Sequence, residues 1–140
     1  MGFTNYFVKL YHNPNLNTMT TLTTIARIIL AVFLIVLGLN GFYNFLPYPE
    51  MSDSAYTFMG AINSSKFIFP LIGLMEIVSG ILLLAKKAIP FALIMVLPIL
   101  VNAIIFHLSL NPEGILFAAI CFVCNIFLIY RNFHSYKNLY

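Results

Sequence analysis

At 140 residues the chain has the length of one domain, yet 61% of it is hydrophobic and only 8% is charged, with a mean hydropathy of +0.96. A water-soluble fold of that size has no interior large enough to hide so much apolar surface, so the composition excludes an ordinary globular domain. The net charge of +3 sits on cations standing singly or in one pair, without the basic stripe that nucleic acid requires.

Residues 1–24 read as a cytoplasmic amino-terminal segment. Phe3, Tyr6, Phe7, Leu10 and Tyr11 recur at helical spacing, which suits a helix resting on the membrane interface; an irregular tail is the competing reading. The segment lacks a basic start and an A-x-A-like cleavage site, so no signal peptide is expected.

Crossing a hydrocarbon core of about 30 Å takes roughly 20 residues of helix. The first apolar run fills residues 25–46 and stops at Pro47 and Pro49. Next comes a short stretch after the capping candidates Ser52 and Ser54, with Tyr56, Phe58, Met59 and Ile62 at helical spacing; it is expected to lie flat on the outer interface. The second span is predicted at 67–85, closed by Lys86 and Lys87. The third is predicted at 88–110, ending in the turn signal Asn111-Pro112-Glu113-Gly114. The fourth is predicted at 115–130. The membrane domain thus covers 25–131, and residues 132–140 form a cytoplasmic tail.

The predicted fold class is an all-α membrane protein, a bundle of four transmembrane helices with an outer interfacial helix between the first and second spans. Four spans put both ends on one side. With the ends in the cytoplasm, Lys9, Arg27, Lys86, Lys87, Arg131 and Lys137 all obey the positive-inside rule, and of the seven cations only Lys66 lies outside.

Few residues carry chemistry. Glu76 falls at the centre of the second span, where a charge costs at least about 2.5 to 3.5 kcal/mol. Gly73 and Gly80 flank it on the same face, seven residues apart, and would let another helix approach and hide the carboxyl from lipid. Two readings stand: a protonated acid hydrogen-bonded between helices for packing, or a proton carrier or ligand contact. Asn40, Asn102 and His107 all lie in the outer half of their spans, which suggests a polar pocket opening outward. His107 lies on the order of 12 Å above the level of Glu76, so direct contact would need a tilt or a kink, for which Pro98 is placed. One His and one Glu do not make a metal site.

Cys121 and Cys124 share a face of the fourth span. They read either as small apolar packing residues or as a redox pair beside a quinone, and an apolar setting quiets thiol reactivity. Arg27, at the inner end of the first span, is expected to anchor at the interface by snorkelling. No nucleophile elbow, P-loop or dinucleotide fingerprint is present.

Several of these pieces together resemble the DoxX-like family of small four-helix membrane proteins. They are Ala26-Arg27-Ile28, Gly38-Leu39-Asn40-Gly41-Phe42, Phe69-Pro70-Leu71 with Glu76 and Gly80, and Pro98, Asn102 and Phe106-His107-Leu108 before Asn111-Pro112-Glu113-Gly114. The resemblance covers roughly residues 22 to 131. It implies a four-helix bundle in the bacterial inner membrane; relatives include the membrane subunit of a thiosulfate:quinone oxidoreductase and proteins linked to redox maturation. It also makes Arg27, Asn40, Glu76, Asn102 and His107 the positions to test, while Cys121 and Cys124 match no pattern of the whole family.

The expected function is an accessory or redox-associated inner-membrane subunit rather than an autonomous enzyme, with an outward polar pocket for a quinone or another lipophilic ligand and no covalently bound cofactor. Expected partners are membrane lipid and a membrane protein or a second copy of the chain. The alternatives are a thiol/quinone oxidoreductase using Cys121 and Cys124, and a small transporter or channel subunit, although the paired broken helices usual in transporters are missing.

Overall fold

The computed structural model describes residues 14–47 and 50–137. The interfacial helix expected around Phe3 to Tyr11 lies outside them. Among the described residues the protein is helical, without strands. The elements are α1 (Pro14–Tyr43), α2 (Asp53–Ser64), α3 (Ile68–Leu84), α4 (Ile89–Ser109), a 3₁₀ turn (Pro112–Gly114), α5 (Ile115–Arg131) and α6 (Phe133–Lys137).

Among the described residues, three stretches are long and apolar enough to cross a membrane: Met19–Tyr43, Ile89–Ser109 and Pro112–Arg131. The fourth expected span is α3, which at 17 residues is about 25 Å long. It meets α2 at 87°, so α2 runs across the end of the long helices rather than along them.

The boundaries have local causes. α1 starts at Pro14, well before the predicted 25, because the polar run ahead of Ile25 contains no helix breaker after Pro14, whose fixed φ suits a first turn. It ends before the prolines, where Asn44 adopts a left-handed φ of 47° and its N–H returns to the Asn40 carbonyl at 2.9 Å; Asn tolerates that conformation better than most residues. Ser52 is the cap of α2, its hydroxyl accepting from the Ala55 N–H at 3.2 Å.

α3 closes with a paired return of N–H groups, Lys86 to the Leu83 carbonyl at 3.3 Å and Lys87 to the Leu82 carbonyl at 3.0 Å. Lys86 takes the left-handed position there, with φ 55°, where glycine is usual. Ala88, also left-handed at φ 46°, then turns the chain directly into α4.

The four long helices form a ring. α1 lies against α3 and α5, and α4 lies against the same two, so α1 and α4 occupy opposite corners. Leu30, Leu34, Leu83, Leu93, Val96 and Leu128 fill the interior, each fully buried. Apart from Asn102 on α4, the outward faces of the four helices are apolar and exposed away from their ends, the pattern of a protein whose solvent is lipid. At the end of the ring nearest α2, the Phe58 and Phe106 rings stand 5.7 Å apart, and the Ser52 hydroxyl donates to the Leu110 carbonyl at 2.7 Å. These contacts tie α2 to the end of α4.

Candidate functional site

The site begins with glycine. A Cβ on Gly38 would stand 2.6 Å from the Gly73 carbonyl oxygen, and one on Gly73 would stand 2.6 Å from the Gly38 carbonyl oxygen. Only hydrogen fits at either position, and α1 and α3 touch backbone to backbone. Further along, a Cβ on Gly80 would lie 2.8 Å from the Ala31 carbonyl oxygen. The approach expected from Gly73 and Gly80 is therefore real, and its partner is α1.

Glu76 is set by that contact. Its Cβ lies 3.1 Å from where a Gly38 side chain would begin, and the residue is only 9% exposed. Its carboxyl has no hydrogen-bond or ion-pair partner among the described residues. A buried polar group without a partner is costly, by about 1 to 3 kcal/mol or more.

Two interior groups nearby are fully buried and carry an atom without a partner. Ser79, one turn from Glu76 and fully buried, leaves its hydroxyl without a partner and does not use the carbonyl four residues before, the common refuge of a helical serine. Asn125 on α5, also fully buried, donates through Nδ2 to the Leu93 carbonyl of α4 at 3.2 Å and leaves Oδ1 unmatched. Cys121, one turn from Asn125 and 1% exposed, lies within electrostatic reach of the Glu76 carboxyl and of Cys124. Glu76, Ser79, Cys121 and Asn125 thus form a band of buried polar side chains inside the ring, spread over about two helical turns.

Sequence reasoning placed Glu76 and Cys121 as candidates and passed over Ser79 and Asn125 as site residues. The available signal was spacing: Ser79 is three residues from Glu76 and Asn125 four from Cys121, which puts each beside its neighbour on one face.

The other candidates do not join this band. Asn40 accepts from the Leu46 N–H at 2.7 Å through Oδ1 and so folds the loop that follows α1. Asn102 is exposed, and its Nδ2 donates to its own helix at the Pro98 carbonyl, 2.9 Å away. His107 meets the Asn111 carbonyl through Nδ1 at 2.8 Å and lies over Gly114, where a Cβ would run into the ring. No hydrogen bond or ring contact among the described residues links Asn40, Glu76, Asn102 and His107 to one another. Equal depth along two helices says nothing about which way each side chain faces, and no such contact joins these residues into one pocket.

Two open grooves on the surface have other linings. One of about 550 Å³ lies between α2 and Leu110, with Asp53, Thr57 and Phe58 in its wall, and one of about 410 Å³ runs along Phe122, Ile126 and Tyr130 of α5.

Arg27 differs from expectation as well. It is 7% exposed and turns inward instead of snorkelling, donating through its guanidinium to the Leu83 carbonyl and, at 3.5 Å, toward the Leu84 carbonyl. Both carbonyls belong to the last turn of α3, where the helix leaves acceptors unsatisfied and its dipole favours a cation. No group of three or more His, Cys, Asp and Glu stands ready for a metal ion among the described residues.

A family model, DoxX, matches residues 22–108, from the first turns of the apolar part of α1 to the end of α4. The match stops short of α5 and therefore of Cys121, Cys124 and Asn125. No curated protein and no solved structure matches the chain.

Proposed function

The chain belongs to the DoxX family, and from that membership and the interior polar band we propose that it is a redox-associated accessory subunit of the bacterial inner membrane. In this reading α1, α3, α4 and α5 each cross the membrane, both termini are cytoplasmic, and α2 lies on the outer interface. The distribution of lysine and arginine supports the orientation. The 87° turn between α2 and α3 supports the interfacial position of α2.

The band inside the ring receives the polar head of a lipophilic ligand of the quinone class. The observation that carries this is a pair of fully buried, unmatched groups, the Ser79 hydroxyl and Asn125 Oδ1, next to the largely buried Glu76. A quinone carbonyl accepts from the Ser79 hydroxyl, and a quinol hydroxyl donates to Asn125 Oδ1, so both redox forms find a partner. The apolar surroundings suit the rest of such a molecule.

Native mass spectrometry of the protein extracted gently from its own membrane tests the reading. A quinone enriched over the bulk membrane, and lost in Ser79→Ala and Glu76→Ala with helicity retained, is the expected result. Extraction of ligand-free protein with a stoichiometric polypeptide partner leaves the accessory role standing and removes the quinone.

One observation favours a second reading. Cys121 shares a face of α5 with Cys124 and lies within electrostatic reach of Glu76; in this reading the two thiols give up two electrons and two protons to a quinone, forming a disulfide and a quinol. Cys121→Ser and Cys124→Ser would then each abolish thiol-dependent quinone reduction. Parent-like behaviour of both variants rejects it.

A further inference from the structure

Within the membrane-crossing stretches, exposed side chains away from the helix ends follow one rule with one exception. On α3 the exposed residues are Leu71, Leu74, Val78, Ile81 and Leu84, and on α5 Leu116, Phe117, Ile120, Val123 and Ile126, before Tyr130 and Arg131 at its end. α1 is likewise apolar on its exposed face beyond Thr20 and Thr21 near its start. Asn102 breaks the pattern on α4.

Asn102 stands about 20 Å along the helix from Ile89 and about 10 Å from Ser109, deep within a 21-residue helix. One of its amide N–H groups is bound to the Pro98 carbonyl. The second N–H and Oδ1 have no partner among the described residues, and they point away from the protein's own interior, since the residue is exposed. Lipid offers neither a donor nor an acceptor at that depth.

We infer that the exposed face of α4, centred on Asn102, is the contact between two copies of this chain related by a two-fold axis. A carboxamide carries a donor and an acceptor on one edge, so two of them satisfy each other in a reciprocal pair, and such a pair belongs on a two-fold axis. α4 contains no charged residue, so the face selects neither an acidic nor a basic partner helix. It requires an apolar helix with one amide at the same depth. A second copy inserted in the same direction supplies that by construction. Ile94, Pro98, Val101 and Ile105, all exposed on the same face, provide the apolar surround. The inference rests on α4 crossing the membrane and is independent of the Glu76 site.

A photoreactive residue placed at Ile105 in the full chain, activated in native membranes, tests it. The expected product has twice the mass of the chain. Asn102→Val weakens self-association roughly 3- to 20-fold, the range spanned by hydrogen bonds between membrane helices, while Asn102→Gln retains it and helicity is unchanged in both. Cross-links only to lipid, or to a different polypeptide, overturn the inference. So does a dimer yield that Asn102→Val leaves unaltered.

Discussion

The Arg27 guanidinium of α1 donates to the Leu83 carbonyl of α3, so a cation from one helix caps the carboxyl end of its neighbour. The bond is buried, and the acceptor lies in the turn where α3 ends without intrahelical donors of its own. Arg27→Met keeps the apolar stem and removes the donor. It is expected to lower stability by about 1.5 to 3 kcal/mol, the range for a hydrogen bond to a charged group. Unfolding of the detergent-solubilised protein, followed by loss of helicity, measures this. Arg27→Lys, with a compact cation and no planar fork, recovers part of the loss.

The contact between Gly38 and Gly73 makes a sharper prediction. Each added Cβ would meet a backbone carbonyl oxygen at 2.6 Å, and no side-chain rotation relieves a clash with backbone. Gly38→Ala and Gly73→Ala are each expected to cost about 1 to 3 kcal/mol or more. Gly60 is the internal comparison: it is helical, in α2, and nothing lies within 4 Å of its would-be Cβ. Gly60→Ala is expected to stabilise by about 0.5 to 1 kcal/mol, because alanine has the better helix propensity. Thermal midpoints of the three variants, measured side by side in one detergent, decide between a close-packed contact and a general intolerance of substitution.

Glu76→Gln and Glu76→Leu separate shape from hydrogen bonding. No cation pairs with the carboxyl among the described residues, and glutamine keeps its volume together with a donor and an acceptor. Glu76→Gln is expected to fold with stability within about 1 kcal/mol of the parent, since no ion pair is broken. Glu76→Leu also folds, and by the proposed function it loses the bound quinone. A collapse of helicity in Glu76→Gln would mean that the carboxylate itself is paired in the native protein.

What was legible in the sequence divides along a physical line. The rise per residue is constant along a helix, so the levels of Glu76, Asn102 and His107 were readable, and the predicted spans 67–85, 88–110 and 115–130 fall within a residue of α3, α4 and α5. Rotation about the helix axis is set by packing against neighbours that the sequence does not name. Depth alone therefore groups Asn102 with Asn40 and His107, whereas Asn102 faces outward and His107 is held in its own turn over Gly114. The burial of Glu76 was readable because Gly73 and Gly80 mark the close face of α3, and small residues at that spacing report direction as well as depth. Arg27 had no such marker, and its acceptors are 56 and 57 residues away in the chain.

The Tyr136 hydroxyl donates to the Pro90 carbonyl at 3.1 Å, which ties α6 to the first turn of α4. Burial pushes the phenol above its ordinary value, because ionisation is less favourable against the protein than in water. The sign follows. Below pH about 10 the phenol is neutral whether α6 is docked or frayed, and the contact contributes fully. Above that, the frayed form releases its proton first, so docking weakens as pH rises and is lost once the docked phenol ionises as well. Limited proteolysis near Arg131 and Lys137 reads the docking directly: cleavage is expected to accelerate in the alkaline range for the parent. Tyr136→Phe, lacking the donor, is cleaved faster at neutral pH and shows no alkaline step beyond that of the protease itself. An alkaline step of equal size in Tyr136→Phe would assign the titration to another group.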